Sequence, residues 1–128
     1  MKNNNRFVTA INCMDGRVQI PVIEYLKARY DVEYVDVVTE PGPIKALSQN
    51  SDSATVESIK KRVDISVFKH HSNLIAIVGH HDCTGNPLDK ETQVKQIHAA
   101  FKTVGAWKFD ARIIGLWVDE SWTVVEIS

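Results

Sequence analysis

Two short segments of this sequence carry residue types that bind metal ions or exchange protons. The first spans residues 13–17 and reads CMDGR, and the second spans residues 80–83 and reads HHDC. Thiolate sulfur and imidazole nitrogen are preferred ligands of Zn²⁺, and catalytic zinc sites typically use three protein ligands and leave one position open. Cys13, His80 and Cys83 supply that number of ligands. The two segments can therefore build a single zinc site.

The residue types alone leave several features of this site open. His81 could be the imidazole ligand in place of His80, and either cysteine by itself could be a small buried apolar residue. Cys13 lacks the close-spaced partner that a structural zinc site normally shows, which favours an open and reactive site. Asp15 is the nearest group that could close it. Asp15 and Arg17 could equally form an ordinary surface ion pair.

Together the two segments resemble the β-class carbonic anhydrase family. The resemblance rests on the spacing Cys13-x-Asp15-x-Arg17, on the sequence VQIP that follows at residues 18–21, and on LIAIVGHHDC at residues 74–83. Both motifs occur in the order that the family has. The resemblance implies the fold of that family and a zinc cofactor.

A role for each residue of the two motifs follows from the resemblance. It selects His80 over His81 as the imidazole ligand. It makes Asp15 a carboxylate that is oriented by Arg17 beside the metal, and a conditional fourth ligand if its side chain turns onto the metal. The implied zinc ligands are Cys13, His80 and Cys83.

The implied activity is that of a zinc lyase, the reversible hydration of carbon dioxide to bicarbonate by zinc-bound hydroxide. Two alternatives stay open. One is the hydrolysis of a carbon dioxide analogue, carbon disulfide or carbonyl sulfide, on the same site, and the other is a zinc-binding regulatory or structural protein without turnover. The resemblance also implies a homodimer or a larger homo-oligomer, for which Trp117 and Trp122 could supply apolar contacts.

The sequence departs from the family pattern around the substrate rather than at the metal ligands. Only residues 1–6 precede the first apolar run, so we expect this protein to lack the N-terminal helical arm and the cleft-lining glutamine of the family. Residues 39–43, TEPGP, replace an Arg-Asn-Ala-Gly-like turn, and Thr84 stands where glycine is usual. The resemblance extends over about residues 7–118 and is specific at the two motifs.

The composition sets limits on size, partners and compartment. A chain of 128 residues has the length of one domain, residues 1–128, with a core of its own. Its net charge of -1, from 15 basic and 16 acidic residues, argues against nucleic acid or a membrane surface as a partner. The small-molecule substrate, carbon dioxide or bicarbonate, is what the resemblance implies. The sequence contains no long apolar run and no secretion signal, so we expect a cytoplasmic protein whose two cysteines are thiols or metal ligands.

Alternating strand and helix patterns have to position the two segments. Apolar, β-rich runs predict strands over residues 7–12, 32–38, 74–78 and 112–118, with an edge strand over 123–127. Helical spacing of apolar residues predicts helices over residues 18–30, from 52 or 53 to about 70, and from a cap at Asn86 to 103. Residues 40–49 contain Pro-Gly-Pro and predict a loop, with at most one helical turn over 44–48.

This alternation predicts an α/β protein with three layers around a mostly parallel β-sheet. Residues 74–78 are continuously apolar, which is typical of a strand buried on both faces of a parallel sheet. Each chemical segment follows the end of a predicted strand. Because the carboxyl ends of parallel strands share one edge of the sheet, the two segments are expected to meet there.

Overall fold

The computed structural model describes residues 6–127, which form a β-sheet covered by helices on both faces. The strands are β1 (Phe7–Cys13), β2 (Tyr34–Glu40), β3 (Leu74–His80), β4 (Arg112–Val118) and β5 (Val124–Ile127). The helices are α1 (Gln19–Tyr30), α2 (Pro43–Gln49), α3 (Ser53–Lys69) and α4 (Lys90–Gly105), and a 3₁₀ turn (Gly16–Val18) precedes α1. Residues 1–5 lie outside the described residues. The expectation about the N-terminal arm therefore stays a prediction.

The sheet has the strand order β2-β1-β3-β4-β5. Strands β2, β1, β3 and β4 are parallel, and β5 pairs antiparallel with β4 at one edge. The predicted mostly parallel sheet is therefore confirmed. Strand β1 lies between β2 and β3, so the chain moves to opposite sides of β1 for its next two strands. A crevice at the carboxyl ends of β1 and β3 is the usual ligand position in such a sheet.

Two apolar cores, one on each face of the sheet, confirm the predicted three layers. Helix α1 covers one face, where its Val22 and Leu26 are buried with Ala10 and Ala76 of the strands. Helices α2, α3 and α4 cover the other face, where their apolar side chains pack with alternate residues of the same strands. Every residue of β3 is buried, which is why that strand reads as a continuous apolar run.

Two predicted helix boundaries were wrong. The single helical turn predicted over 44–48 is part of a longer helix, α2, over residues 43–49, because Pro43 fits a first helical turn and both Ile44 and Leu47 are buried. Helix α4 begins at Lys90 and is capped by Asp89, whose carboxylate accepts a hydrogen bond from the backbone N–H of Thr92 at 2.9 Å.

The predicted cap, Asn86, has a different environment. It is buried in the loop before α4, where its side-chain Nδ2 donates a hydrogen bond to the side-chain Oε1 of Gln96 at 2.7 Å. Trp117 also differs from expectation. With 3% of its surface exposed it packs inside the chain, so its ring is not available for the subunit contact suggested by the sequence. Within residues 6–127, none of the helices has the length and apolar character needed to cross a membrane.

Candidate metal centre

Three metal-binding side chains meet at the carboxyl edge of the sheet. Cys13 is the last residue of β1, His80 is the last residue of the neighbouring β3, and Cys83 lies three residues further along. Their sulfur and nitrogen ligand atoms all lie within 4.8 Å of one another, and the two sulfur atoms are 3.8 Å apart. The topology thus brings together the three residues that the sequence suggested as ligands.

The imidazole of His80 is oriented for binding a metal. Its Nδ1 lies 2.7 Å from the backbone carbonyl of His81, so Nδ1 carries the proton and donates. Nε2 then has a free lone pair, and this atom is buried without a hydrogen-bond partner among the described residues. A buried polar atom without a partner is costly, and a metal ion held with the two thiolates would satisfy it. The exposed His81 contributes its carbonyl to this arrangement, and its ring lies outside the cluster.

A hydrogen bond between the two buried cysteines shifts their pKa values in opposite directions. The pKa of Cys13 is lowered to about 4 by a hydrogen bond from Cys83, although burial opposes the shift, and the backbone N–H of Gly42 also points at its Sγ from 3.5 Å. The pKa of Cys83 is raised by the same hydrogen bond and by burial. A metal that binds both sulfurs as thiolates must therefore displace the remaining proton.

The Asp15 carboxylate is fixed by Arg17 next to this cluster. Asp15 Oδ2 accepts a hydrogen bond from Arg17 Nη2 at 2.7 Å, and Asp15 Oδ1 accepts from Nε at 3.1 Å and from the Arg17 backbone N–H at 2.9 Å. These hydrogen bonds lower the pKa of Asp15 to about 2, against the opposing effect of its partial burial. Asp15 is consequently an ionised hydrogen-bond acceptor at neutral pH. It faces Arg17 and is not part of the group formed by the three ligand side chains.

Asp82 and Trp122, whose contribution the sequence did not indicate, complete the surroundings of Arg17. Arg17 Nη1 lies 3.3 Å from the Asp82 carboxylate, and Nη2 donates to the Asp82 backbone carbonyl at 3.1 Å. The guanidinium carbon lies 4.5 Å from the centre of the Trp122 ring. Asp82 stands between His80 and Cys83 in the sequence, so Arg17 links the Asp15 loop to the loop that carries two of the candidate ligands.

Three amide side chains, two buried and one half-buried, hold the backbone on which the candidate ligands lie. Gln93 of α4 accepts from the backbone N–H of His80 at 3.2 Å and donates to the His80 carbonyl at 2.9 Å. Asn12 accepts from the backbone N–H of Cys13 at 2.9 Å, and Gln19 donates to the Cys13 carbonyl at 2.6 Å. These contacts fix the directions of the two strand ends, although none of the three amides was a candidate from the sequence.

Backbone-to-backbone packing also supports the cluster. Residues 41–42, in the segment that departs from the family pattern, lie directly against Gly85 in the Cys83 loop. A Cβ atom at Gly85 would lie 2.6 Å from the carbonyl carbon of Pro41, and one at Gly42 would lie 2.8 Å from the backbone of Gly85. Gly42 also has a positive φ of 57°, which glycine adopts most easily. The Pro41-Gly42 turn therefore abuts the cluster that Cys13 and Cys83 form.

We expect Gly85→Ala to lower the free energy of unfolding by about 1–3 kcal/mol, because the new methyl group overlaps a backbone that cannot turn aside as a side chain can. Gly105→Ala is the matched control. It lies in the last turn of α4 with no atom within 4 Å of a new Cβ, so it should stabilise the protein by up to about 1 kcal/mol. Urea unfolding measures both variants. Equal stabilities of the two variants would contradict the close packing at Gly85.

Comparisons with known proteins identify the family and the fold of this chain. A model of a family described as putative carbonic anhydrase matches residues 3–128. The apo form of a carbon disulfide hydrolase aligns with 95% of this chain and 78% of its own, at 16% identity and a TM-score of 0.53. A carbonic anhydrase from Glaciozyma antarctica aligns with 94% of this chain and 81% of its own, at 12% identity and a TM-score of 0.53.

A β-carbonic anhydrase of the fungal pathogen Aspergillus fumigatus aligns with 98% of this chain and 76% of its own, at 14% identity and a TM-score of 0.47. A search of curated protein sequences gives no significant match. At these identities the two structures with a TM-score of 0.53 show the shared fold, and the family model covers nearly the whole sequence. The chain belongs to the putative carbonic anhydrase family.

Proposed function

We propose that this protein is a zinc-dependent carbonic anhydrase that converts carbon dioxide reversibly to bicarbonate. One observation carries the proposal. This chain is a member of the family, and its cluster of Cys13, His80 and Cys83 lies at the same sheet edge as the Asp15 carboxylate, which hydrogen bonds from Arg17 keep ionised. The cluster supplies a place for a metal, and Asp15 supplies a fixed hydrogen-bond acceptor beside it.

The set of ligand atoms favours zinc over other metals. Two sulfur atoms and one imidazole nitrogen suit zinc, whereas calcium and magnesium prefer sites made of oxygen atoms. When bound, zinc supplies the Lewis acidity that lowers the pKa of water and makes water a nucleophile near neutral pH. Three protein ligands leave room for this chemistry, while a fourth would close the site.

The side chains around the cluster have separate tasks in this proposal. The hydrogen bond from His80 Nδ1 to the His81 carbonyl keeps the lone pair of Nε2 available for the metal. The Asp15 carboxylate, whose pKa is about 2, does not carry a proton at neutral pH and therefore accepts a hydrogen bond from the reacting water. Arg17 fixes the direction of that acceptor through its paired hydrogen bonds.

Stopped-flow measurement of carbon dioxide hydration between pH ~6 and ~9, a range that brackets the expected pKa of the activated water, tests the proposal. Zinc content is measured on the same sample. We expect a rate above that of the buffer which scales with bound zinc. Zinc-loaded protein without any hydration would contradict the proposal, and carbon disulfide hydrolysis by that same sample would then identify the analogue as substrate, as in the structural relative of that name.

A further inference from the structure

Arg17 is held by more contacts than its ion pair with Asp15 requires. All three nitrogen atoms of its guanidinium contact oxygen atoms. Nε and Nη2 contact the carboxylate of Asp15, and Nη1 and Nη2 contact the carboxylate and the backbone carbonyl of Asp82. One face of the guanidinium is covered by the Trp122 ring at 4.5 Å. The Arg17 side chain is nevertheless 44% exposed, so an ion pair alone would leave it free to reorient. The contact with Trp122 restricts that movement.

The backbone at Trp122 has an unusual conformation for a large side chain. Its φ is +61°, in the left-handed region that glycine and asparagine adopt more easily. The turn between β4 and β5 stabilises this conformation, since the Trp122 N–H donates to the Asp119 carbonyl at 2.9 Å and the Asp119 carboxylate accepts from the N–H groups of Ser121 and Thr123. The turn therefore directs an indole towards Arg17, although a smaller residue would fit the backbone at position 122 better.

The Asp82 carboxylate holds Arg17 only through an exposed ion pair. Its carboxylate is 70% exposed and 3.3 Å from Nη1, so solvent and salt weaken that attraction. Asp82 also has a positive φ of 58°, and asparagine would keep both that conformation and the carbonyl that accepts from Nη2. Asp82→Asn therefore removes the charge and little else.

We propose that Trp122 is a positioning residue for the site. Its indole holds the Arg17 guanidinium, and through it keeps the Asp15 carboxylate facing Arg17 instead of turning onto the cluster of Cys13, His80 and Cys83. This inference rests on the proposed function, because it explains how the position beside the three ligands stays open to substrate. Without the indole, Arg17 is less restrained and Asp15 can occupy that position.

Azide binding to the cobalt-substituted protein tests the inference without measuring turnover. Azide changes the visible absorption of Co²⁺ when it occupies an open coordination position, and it is excluded when Asp15 fills that position. Trp122→Leu keeps an apolar side chain but removes the aromatic face, while Trp122→Phe keeps both. We expect the azide Kd to rise about fivefold in Trp122→Leu and to change by less than about twofold in Trp122→Phe and Asp82→Asn.

Adding Asp15→Asn to Trp122→Leu separates positioning from stability. An asparagine amide is a poorer metal ligand than a carboxylate, so the double variant should bind azide as tightly as the parent chain does. Equal azide Kd values for Trp122→Leu, Trp122→Phe and the parent would overturn the inference. So would a parent protein that does not bind azide, because Asp15 would then already close the site. If Trp122→Leu does not load cobalt, Trp122→Met replaces it, with the same expected rise in Kd.

Carbon dioxide hydration by the same proteins distinguishes failure of this inference from failure of the proposed function. A parent that binds azide with the expected differences among variants, but does not hydrate carbon dioxide, supports the role of Trp122 and refutes the carbonic anhydrase activity. A parent that hydrates carbon dioxide while Trp122→Leu matches it in both rate and azide Kd refutes the role of Trp122 and leaves the activity in place.

Discussion

Cys83→Ala is expected to purify with essentially no zinc, whereas the parent protein carries about one zinc ion per chain. Cys83 supplies one of three ligand atoms that lie within 4.8 Å of one another, and no other cysteine is left in the sequence except Cys13. Two remaining protein ligands form a much weaker site. Elemental analysis of the dialysed proteins measures the difference.

The neighbouring histidine offers a matched control for the ligand assignment. His81 is adjacent to His80, but its ring is exposed and it contributes a backbone carbonyl that alanine would keep. His81→Ala should therefore retain zinc. Loss of zinc from His81→Ala with retention in Cys83→Ala would refute the cluster as the metal site.

Zinc binding should also appear in the stability of the parent chain. A ligand that binds only the folded protein raises its melting temperature, so a chelator should lower the melting temperature of the parent and leave that of Cys83→Ala unchanged. This comparison links the metal to the folded cluster rather than to thiols exposed by unfolding.

The sheet and the meeting of the two chemical segments could be predicted because each depends on a local pattern. The apolar run that became β3 identified a buried parallel strand, and Cys13 and His80 stood at the ends of predicted strands. Parallel pairing then requires both ends to share one edge. Local periodicity and a general rule of topology were sufficient for this part of the structure.

Only one turn of helix α2 could be predicted in this way, because the stability of the full helix comes from tertiary contacts. The Pro41-Gly42-Pro43 sequence is typical of a loop, and the helix it introduces has only seven residues. Ile44 and Leu47 are completely or almost completely buried against the same core as α4. Short helices gain most of their stability from such packing rather than from their own sequence.

The polar support of the site was only partly visible in the sequence. Gln93 shares the buried side of α4 with Ile97, Ala100 and Val104, whereas the apolar Val94 and Phe101 of the same helix are only half-buried. A glutamine at that helical spacing was a signal for a buried polar group. Trp122 had no such signal, because the contact with Arg17 joins a turn near the end of the sequence to one near its start.

Arg17→Ala is expected to keep zinc while lowering carbon dioxide hydration by about a hundredfold. Arg17 provides the hydrogen bonds that fix both oxygen atoms of Asp15, and its side chain bonds to Asp15 and Asp82 rather than to the three ligand side chains. The pKa of Asp15 would rise from about 2 towards its ordinary value near 4, which still leaves the carboxylate ionised at neutral pH. Loss of rate would then come from lost orientation, or from Asp15 turning onto the metal, and not from protonation.

A second substitution and a matched control complete this experiment. Adding Asp15→Asn should reopen the metal position without restoring a carboxylate acceptor, so zinc stays bound and the rate stays low. Arg6 lies just before β1, has an exposure similar to that of Arg17, and pairs with Asp31. The Arg6→Ala variant should therefore hydrate carbon dioxide at the parent rate. If Arg17→Ala matched Arg6→Ala in rate while both only lost stability, the Asp15–Arg17 pair would be structural, because Arg17 orients the Asp15 carboxylate and Arg6 pairs with Asp31 instead.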